Sequence, residues 1–430
     1  MSKEKLVVIG SGISGLSASF FLSNKYDVIL LEKNDYLGGH TRTKEIKYNN
    51  DLINIDTGFI VFNNANYPVL TNFLNFLDVK TENSNMSFSV SLLDPNIEYG
   101  GSGFSALFAQ PKNFFSIKFF FLINEIRRFY KHCNNIEKLD SYKDVTLEQY
   151  LKDRNYSKDL LDLHIYPMVS SIWSSNQSSI RNFPFISFLN FFKNHGLFDL
   201  RNRPQWKFIK NGSNSYIKKL LSKNYFEYKT KCLVKRIIRK NNKITIQMKN
   251  KKDLEVNKIV LATHADQALS LLDNPDKKEI EILSNFQYTK NKAYLHSDEK
   301  FMPKYKSAWS SWNFKGNNIN DSKFSLTYWM NNLQKINSSK NYFVTINPKE
   351  VPVDYYDSTT FEHPIYNLKT IESQKNLLSI QGISNTFYCG SYCGYGFHED
   401  GIQSAAYVAD ILNVEIPLDR NINFKSRLYY

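Results

Sequence analysis

Apolar runs and the residues that interrupt them divide the chain into elements. Leu6-Val7-Val8-Ile9 is a continuous apolar run rich in β-branched residues, as a parallel strand buried on both faces requires. From Leu16 to Leu22 apolar and small residues recur at helical spacing, and Asp27-Val28-Ile29-Leu30-Leu31 is a second buried run. That order predicts a β-α-β unit. Tyr67 to Leu77, Leu147 to Tyr150, Leu160 to Trp173 and Phe185 to Phe192 space their apolar residues by three and four and predict helices. Cys232 to Ile237 and Ile244 to Ile246 alternate like hairpin arms, while Lys258 to Thr263 and Thr386 to Ser391 read as strands ending in small residues. Tyr392 to Gly401 reads as a loop and Ile402 to Leu412 as a helix. Lys292 to His296, Ser307 to Asn313, Phe324 to Met330 and Tyr342 to Ile346 predict strands of another sheet.

Composition bounds this picture. A chain of 430 residues exceeds what one hydrophobic core usually serves, so two lobes are expected. An apolar fraction of 42%, with 32 Phe and 27 Tyr, argues against disorder and supplies an apolar pocket. The net charge of +14 suits a nucleic acid, an anionic membrane or an acidic ligand. Its lysines and asparagines are scattered in runs such as Lys249-Asn250-Lys251-Lys252, as solvated loops would have them, so no nucleic acid is expected. Cys133, Cys232, Cys389 and Cys393 form no CxxC pair; no metal site is expected, and a reducing compartment fits. With no leader-like N-terminus and no apolar run of membrane-spanning length, the expected location is cytoplasmic, with room for peripheral contact on the inner face of the membrane.

Between the first strand and helix stands Gly10-Ser11-Gly12-Ile13-Ser14-Gly15. Gly10 permits the tight turn, Gly12 lets a pyrophosphate approach the backbone, and Gly15 lets helix and strand pack closely. The helix start at Ile13 and Ser14 then offers unpaired N–H groups to phosphate. Glu32, 17 positions after Gly15 and followed by Lys33, ends the second strand where a carboxylate can accept hydrogen bonds from an adenosine ribose. A dinucleotide site is expected here.

Gly38-Gly39-His40-Thr41-Arg42-Thr43 follows closely, and with it the sequence resembles the flavin-containing amine oxidase and phytoene desaturase superfamily. The resemblance implies FAD, held non-covalently, with Gly38, Gly39, His40, Thr41 and Arg42 against the diphosphate. Many members have Arg directly after the glycines, where His40 stands here. It also implies adenine contact at Val234 and a small-residue strand end at Ala262. Near the C-terminus, Gly390 closes a strand, and Glu399, Asp400, Gly401 and Ile402 open a helix whose N-terminus faces the flavin pyrimidine end in this superfamily. Asp400 is the N-cap candidate there. The implied fold class is α/β: a Rossmann-like FAD-binding domain assembled from 1–62, 205–275 and 378–415, an α+β substrate domain from 63–204 and 276–377, and a tail, 416–430.

Asp56-Thr57-Gly58-Phe59, Arg203-Pro204-Gln205-Trp206, Ala308-Trp309-Ser310-Ser311-Trp312-Asn313 and Gly394-Tyr395-Gly396-Phe397-His398-Glu399-Asp400-Gly401 look like one bacterial branch of that superfamily. Its members are associated with cyclopropane-fatty-acid-synthase-like methyltransferases and with desaturation on the way to furan fatty acids. The resemblance therefore implies a desaturase-like FAD oxidoreductase acting on an unsaturated or methyl-branched fatty acyl or phospholipid chain. Phe104 to Tyr130, with Lys112, Lys118, Arg127 and Arg128 among its aromatics, suits either a helix on an anionic membrane or a core helix with a solvated basic face. Tyr395 and His398 are the candidate catalytic residues: Tyr395 as a cavity wall, His398 as a proton carrier or a hydrogen-bonding group beside the flavin. Tyr166, Trp173, Asn291, His296 and Trp312 are further wall candidates. Amine oxidation, flavin-dependent double-bond isomerisation and a non-enzymatic membrane role remain as alternatives.

Overall fold

The computed structural model describes residues 3–49, 51–137, 140–174, 177–199, 203–318, 324–419 and 422–428; parts of the tail expected at 416–430 lie outside them. A five-stranded parallel sheet runs in the order Glu227–Lys229, Asp27–Leu31, Lys5–Ile9, Lys258–Leu261, Thr386–Tyr388. Alternation divides its side chains between two cores. Leu6, Val8, Leu30, Val260 and Phe387 pack on one face against the helices Ile13–Leu22 and His398–Ile411. Val7, Ile9, Ile29, Ile259 and Leu261 pack on the other against Ile237, Ile244 and Ile246 of a three-stranded antiparallel sheet. Both faces are thus covered, which explains the unbroken apolar runs.

A seven-stranded sheet forms the second layer system, in the order Asp357–Ile365, Gln287–His296, Phe343–Ile346, Phe324–Trp329, Trp312–Asn318, Phe88–Asp94, Ile97–Gly100. Its pairings are antiparallel except that between Trp312–Asn318 and Phe88–Asp94. Val90, Leu92, Phe314 and Tyr99 meet an aromatic core supplied by helices at Ile117–Asn134, Leu147–Asp153, Tyr166–Trp173 and Phe185–Asn194.

Three expectations shift. The strand expected from Ser307 starts only at Trp312, because Asn313 accepts from Ser310 N–H (2.8 Å) and donates to the Ser310 carbonyl (2.6 Å), a local turn that displaces ladder bonding. The stretch from Phe104 is three pieces, Phe104–Leu107, Pro111–Phe115 and Ile117–Asn134. Pro111 starts the second and Ser116 caps the third by accepting from Phe119 N–H (3.3 Å). The C-terminal helix begins at His398, not Ile402, with Phe397 at its N-cap. Asp400 is therefore its third residue, not its cap, and accepts the Phe397 N–H (2.8 Å), which secures the early start.

Candidate active site

A cavity of about 1000 Å³ begins at the glycine turn and extends to the aromatic side of the seven-stranded sheet. At its first end the backbone is fitted to a large ligand. A Cβ on Gly15 would lie 1.8 Å from the Gly10 carbonyl oxygen, and one on Gly10, whose φ is +101°, 2.7 Å from that of Ala262; both glycines are consumed by packing. A Cβ on Gly12 would meet nothing within 4 Å. Gly12 is the N-cap of the helix Ile13–Leu22 and supplies no side-chain acceptor, so the positive helix start borders open space. Gly39, at φ +57°, closes over it, its built Cβ 3.2 Å from Gly12 Cα. A diphosphate fits this cradle in charge and in room.

Glu32 stands at the strand end as expected. One carboxylate oxygen accepts from Ser11 N–H (3.0 Å) and Ser11 Oγ (2.6 Å), the other from Asn34 N–H (2.9 Å). These bonds aim the carboxylate along the cavity edge, which Lys33, Val234 and Ala262 also line. Gly10, Gly12, Ile13, Ser14, Gly38, Gly39, His40, Gly390, Tyr395 and His398 line the cavity too.

Other expected contacts do not. Arg42 is ion-paired with Asp357 and donates to Thr57 Oγ1 (3.2 Å), because that carboxylate lies largely out of water and needs a cation. Arg42 therefore holds the strand Asp357–Ile365 and does not line the cavity. Thr41 bridges Tyr216 Oη (2.7 Å) and His398 Nε2 (2.9 Å) behind the wall. Glu399 accepts from Val69 N–H (3.0 Å) and Leu70 N–H (2.9 Å), capping the helix Pro68–Phe76. Gly401 lets two helix starts meet: a Cβ there would lie 2.7 Å from Ser14 Oγ. Asp400 and Ile402 are buried in the same joint. Of the wall candidates, Trp173 and Trp312 line the cavity. Tyr166 is core, Asn291 bonds His363 (2.8 Å) and His296 bonds Thr345 (2.7 Å).

Several lining residues had no sequence signal. Tyr67, His195, Phe361 and His363 come from helix ends and a strand far apart in the chain. His40 stacks on Phe361 (4.7 Å) and lies 5.3 Å from His363, with its Nε2 buried and unpartnered. His398 stacks on Phe59 at 3.7 Å and 17°.

Burial holds these imidazoles neutral. It pushes His40, His264 and His296 down to about 4 and His164, His363 and His398 down to about 3. An unfolded imidazole titrates near 6.5, so between there and the folded values the unfolded chain binds protons that the fold refuses. Stability present above pH 6.5 is lost on acidification. Asp56 and Glu399, raised by burial to about 6 and about 7, act oppositely, gaining as pH falls through those values. All eight histidines are pushed down by burial, against five carboxyls pushed up, Asp56, Asp162, Asp266, Glu399 and Asp400; at roughly 2 kcal/mol per deeply buried histidine between pH 7 and 5, a net loss is expected. Thermal melts of the apoprotein across that range test it, and a flat midpoint refutes it.

The family model described as flavin containing amine oxidoreductase matches residues 13–332, which run from the first helix through the hairpin to most of the seven-stranded sheet. The chain belongs to this family. It is an FAD-dependent oxidoreductase, and FAD is its cofactor. No curated protein matches the chain. Among solved structures it is similar to the CLA-producing fatty acid isomerase from P. acnes (TM-score 0.68, 13% identity, covering 96% of this chain and 99% of that one). Putrescine oxidase bound to putrescine gives a TM-score of 0.70 at 12% identity, covering 96% and 99%. Cyclohexylamine oxidase from Brevibacterium oxydans IH-35A gives 0.63 at 13%, covering 96% and 100%. At such identities the likeness establishes the two-domain flavoprotein fold alone.

Proposed function

We propose that this flavoprotein oxidises an unsaturated or methyl-branched fatty acyl chain at a membrane surface. The observation that carries the reading is the lining of the cavity beyond the glycine turn: Phe88, Met168, Ile172, Trp173, Phe191 and Trp312 present apolar surface. Glu32 and Glu362 are the only acids among the described lining residues. Glu32 is engaged by Ser11 and Asn34, and Glu362 accepts from Gln267 Nε2 (3.3 Å) and lies 4.0 Å from Lys290 Nζ, so neither waits for an ammonium group. An acyl chain suits such walls better than an amine cation does.

Bound FAD supplies the two-electron acceptor. The chain's own residues then have to bind FAD at Gly12, Gly38 and Gly39, receive its ring end near Tyr395 and His398, and keep water from the reacting C–H bond. His398, held neutral by burial and hydrogen-bonded to Thr41, orients this wall.

The membrane side of the reading rests on an exposed aromatic tip. Phe115 is 84% exposed, Ile117 74% and Phe121 69%, with Phe104, Phe114 and Phe120 beside them. Lys112, Lys118 and Arg127 are exposed around it, and the only acid from 104 to 131, Glu125, is bonded to Ser157 and Arg128. Apolar rings ringed by cations complement an anionic bilayer. Among the described residues no helix is long and apolar enough to cross one.

The test adds unsaturated or methyl-branched phospholipids, fatty acids or amines to the holoenzyme without oxygen. Flavin bleaching by acyl substrates is expected, and bleaching by amines alone overturns the acyl reading. Turnover of a double bond without bleaching or an external acceptor would mark isomerisation, the activity in the name of one structural neighbour. The variant Phe115→Asp/Phe121→Asp is expected to lose at least tenfold in binding to phosphatidylglycerol vesicles with its flavin retained. Unchanged binding would remove the membrane claim.

A further inference from the structure

Residues 422–428 lie along the C-terminal helix. Lys425 pairs with Asp410 (2.6 Å), Gln403 Nε2 donates to Ser426 Oγ (3.0 Å), and Gln403 Oε1 accepts the Arg427 N–H (2.9 Å). These contacts turn the Arg427 side chain inward, where it is buried. Its guanidinium lies 4.8 Å from the Tyr67 ring centroid and donates to His195 Nε2 (3.2 Å). One nitrogen, Nη1, stands 3.6 Å from Asp400 Oδ1, and neither atom has a hydrogen-bond partner.

Tyr67 and His195 are cavity wall, so Arg427 sits one layer behind it. Asp400 and Glu399 occupy the first turn of the helix whose start borders the cavity at His398. Two buried carboxylates in that turn oppose any negative charge arriving there, and they would cancel the favourable field of the helix end. Arg427 is the cation that faces them. The bonds also fix a tautomer: the Phe191 carbonyl can only accept, so His195 Nδ1 carries the proton (2.8 Å) and Nε2 receives Arg427. His195 then has no proton to give at Nε2.

We propose that Arg427 is a positioning residue of the FAD site, a counter-charge that offsets the carboxylates at the start of the C-terminal helix and so favours the reduced over the oxidised coenzyme. The inference rests on the reading that the ring end of FAD is received at this helix start. A residue that only fastened the tail would change stability and leave that preference alone.

The test is the two-electron midpoint potential of the holoenzyme, measured anaerobically against a reference dye with no substrate present. Arg427→Gln is expected to lower the ratio of affinities for reduced over oxidised FAD at least tenfold, a fall of about 30 mV. Asp400→Asn, which removes one of the two carboxylates, is expected to shift the potential the other way, and Arg427→Lys to stay near the parent value. A flavin-loaded Arg427→Gln protein with the parent potential, or shifts of one sign in the Gln and Asn variants, overturns the proposal. Should Arg427→Gln not hold FAD, Asp400→Asn decides: a raised potential supports the proposal and an unchanged one overturns it. His398→Ala separates the underlying reading. An unaltered flavin spectrum in that variant counts against the ring's being at this helix, whereas an altered spectrum with a potential indifferent to Arg427 fails this inference alone.

Discussion

Gly12→Val is expected to abolish FAD binding while the apoprotein keeps its fold. The position has no neighbour within 4 Å of a built Cβ, and its φ of −64° suits any residue, so the empty protein has little to lose. A surface-like change of this kind costs within about 0.5 kcal/mol. The added methyl groups, however, stand where a diphosphate would approach the helix start. At least a 100-fold loss in affinity, about 2.7 kcal/mol, is expected. Gly15→Ala reverses the pattern. Its Cβ would sit 1.8 Å from a backbone oxygen of the neighbouring turn, which cannot step aside without parting helix from sheet. That variant is expected to melt far below the parent even without ligand. Titration of FAD into each apoprotein, with a melt beside it, checks both; equal affinity for parent and Gly12→Val would remove the diphosphate assignment.

Arg239→Met carries the second large effect, this time on stability. The Arg239 guanidinium makes a two-nitrogen contact with Glu279 (2.7 Å for each), and Glu279 is wholly buried. Tyr388 Oη donates to the same carboxylate (2.5 Å), and Arg239 also reaches Thr386 Oγ1 (3.2 Å). One ion pair thus joins the hairpin strand Val234–Lys240, the helix Lys277–Leu283 and the edge strand Thr386–Tyr388. Removing the cation leaves an uncompensated interior carboxylate, a loss of about 3–5 kcal/mol. Replacing both partners, as Arg239→Met/Glu279→Leu, is expected to recover much of it. Denaturant unfolding of the two variants makes the comparison, and a double variant no more stable than the single one would contradict it.

The β-α-β turn was legible because each of its parts is local. Strand, glycines, helix and terminal acid all fall within 28 residues, Lys5 to Glu32, and only one backbone path satisfies them. The edge strand at Thr386 was legible for the same reason, as was Gly390. Arg42 was misread because its partner, Asp357, is brought beside it only by the seven-stranded sheet. Asp400 was misread as a cap because the helix start depends on which N–H its carboxylate chooses, and that choice is made at Phe397. The neutral imidazoles beside the cavity were invisible for a different cause. A histidine's charge follows from its surroundings, and His40, His264 and His363 share theirs only after folding.

The parallel sheet has a temporal consequence. Leu6 pairs with Lys258, and Ile259 with Thr386, so the first strand waits for partners that leave the ribosome much later. At about 5–20 residues per second, the intervening 250 or so residues take roughly 10–50 s to synthesise. Throughout that interval the unpaired edge of Lys5–Ile9 is available to holdase chaperones or to other nascent chains, and coenzyme cannot be captured until translation is nearly finished.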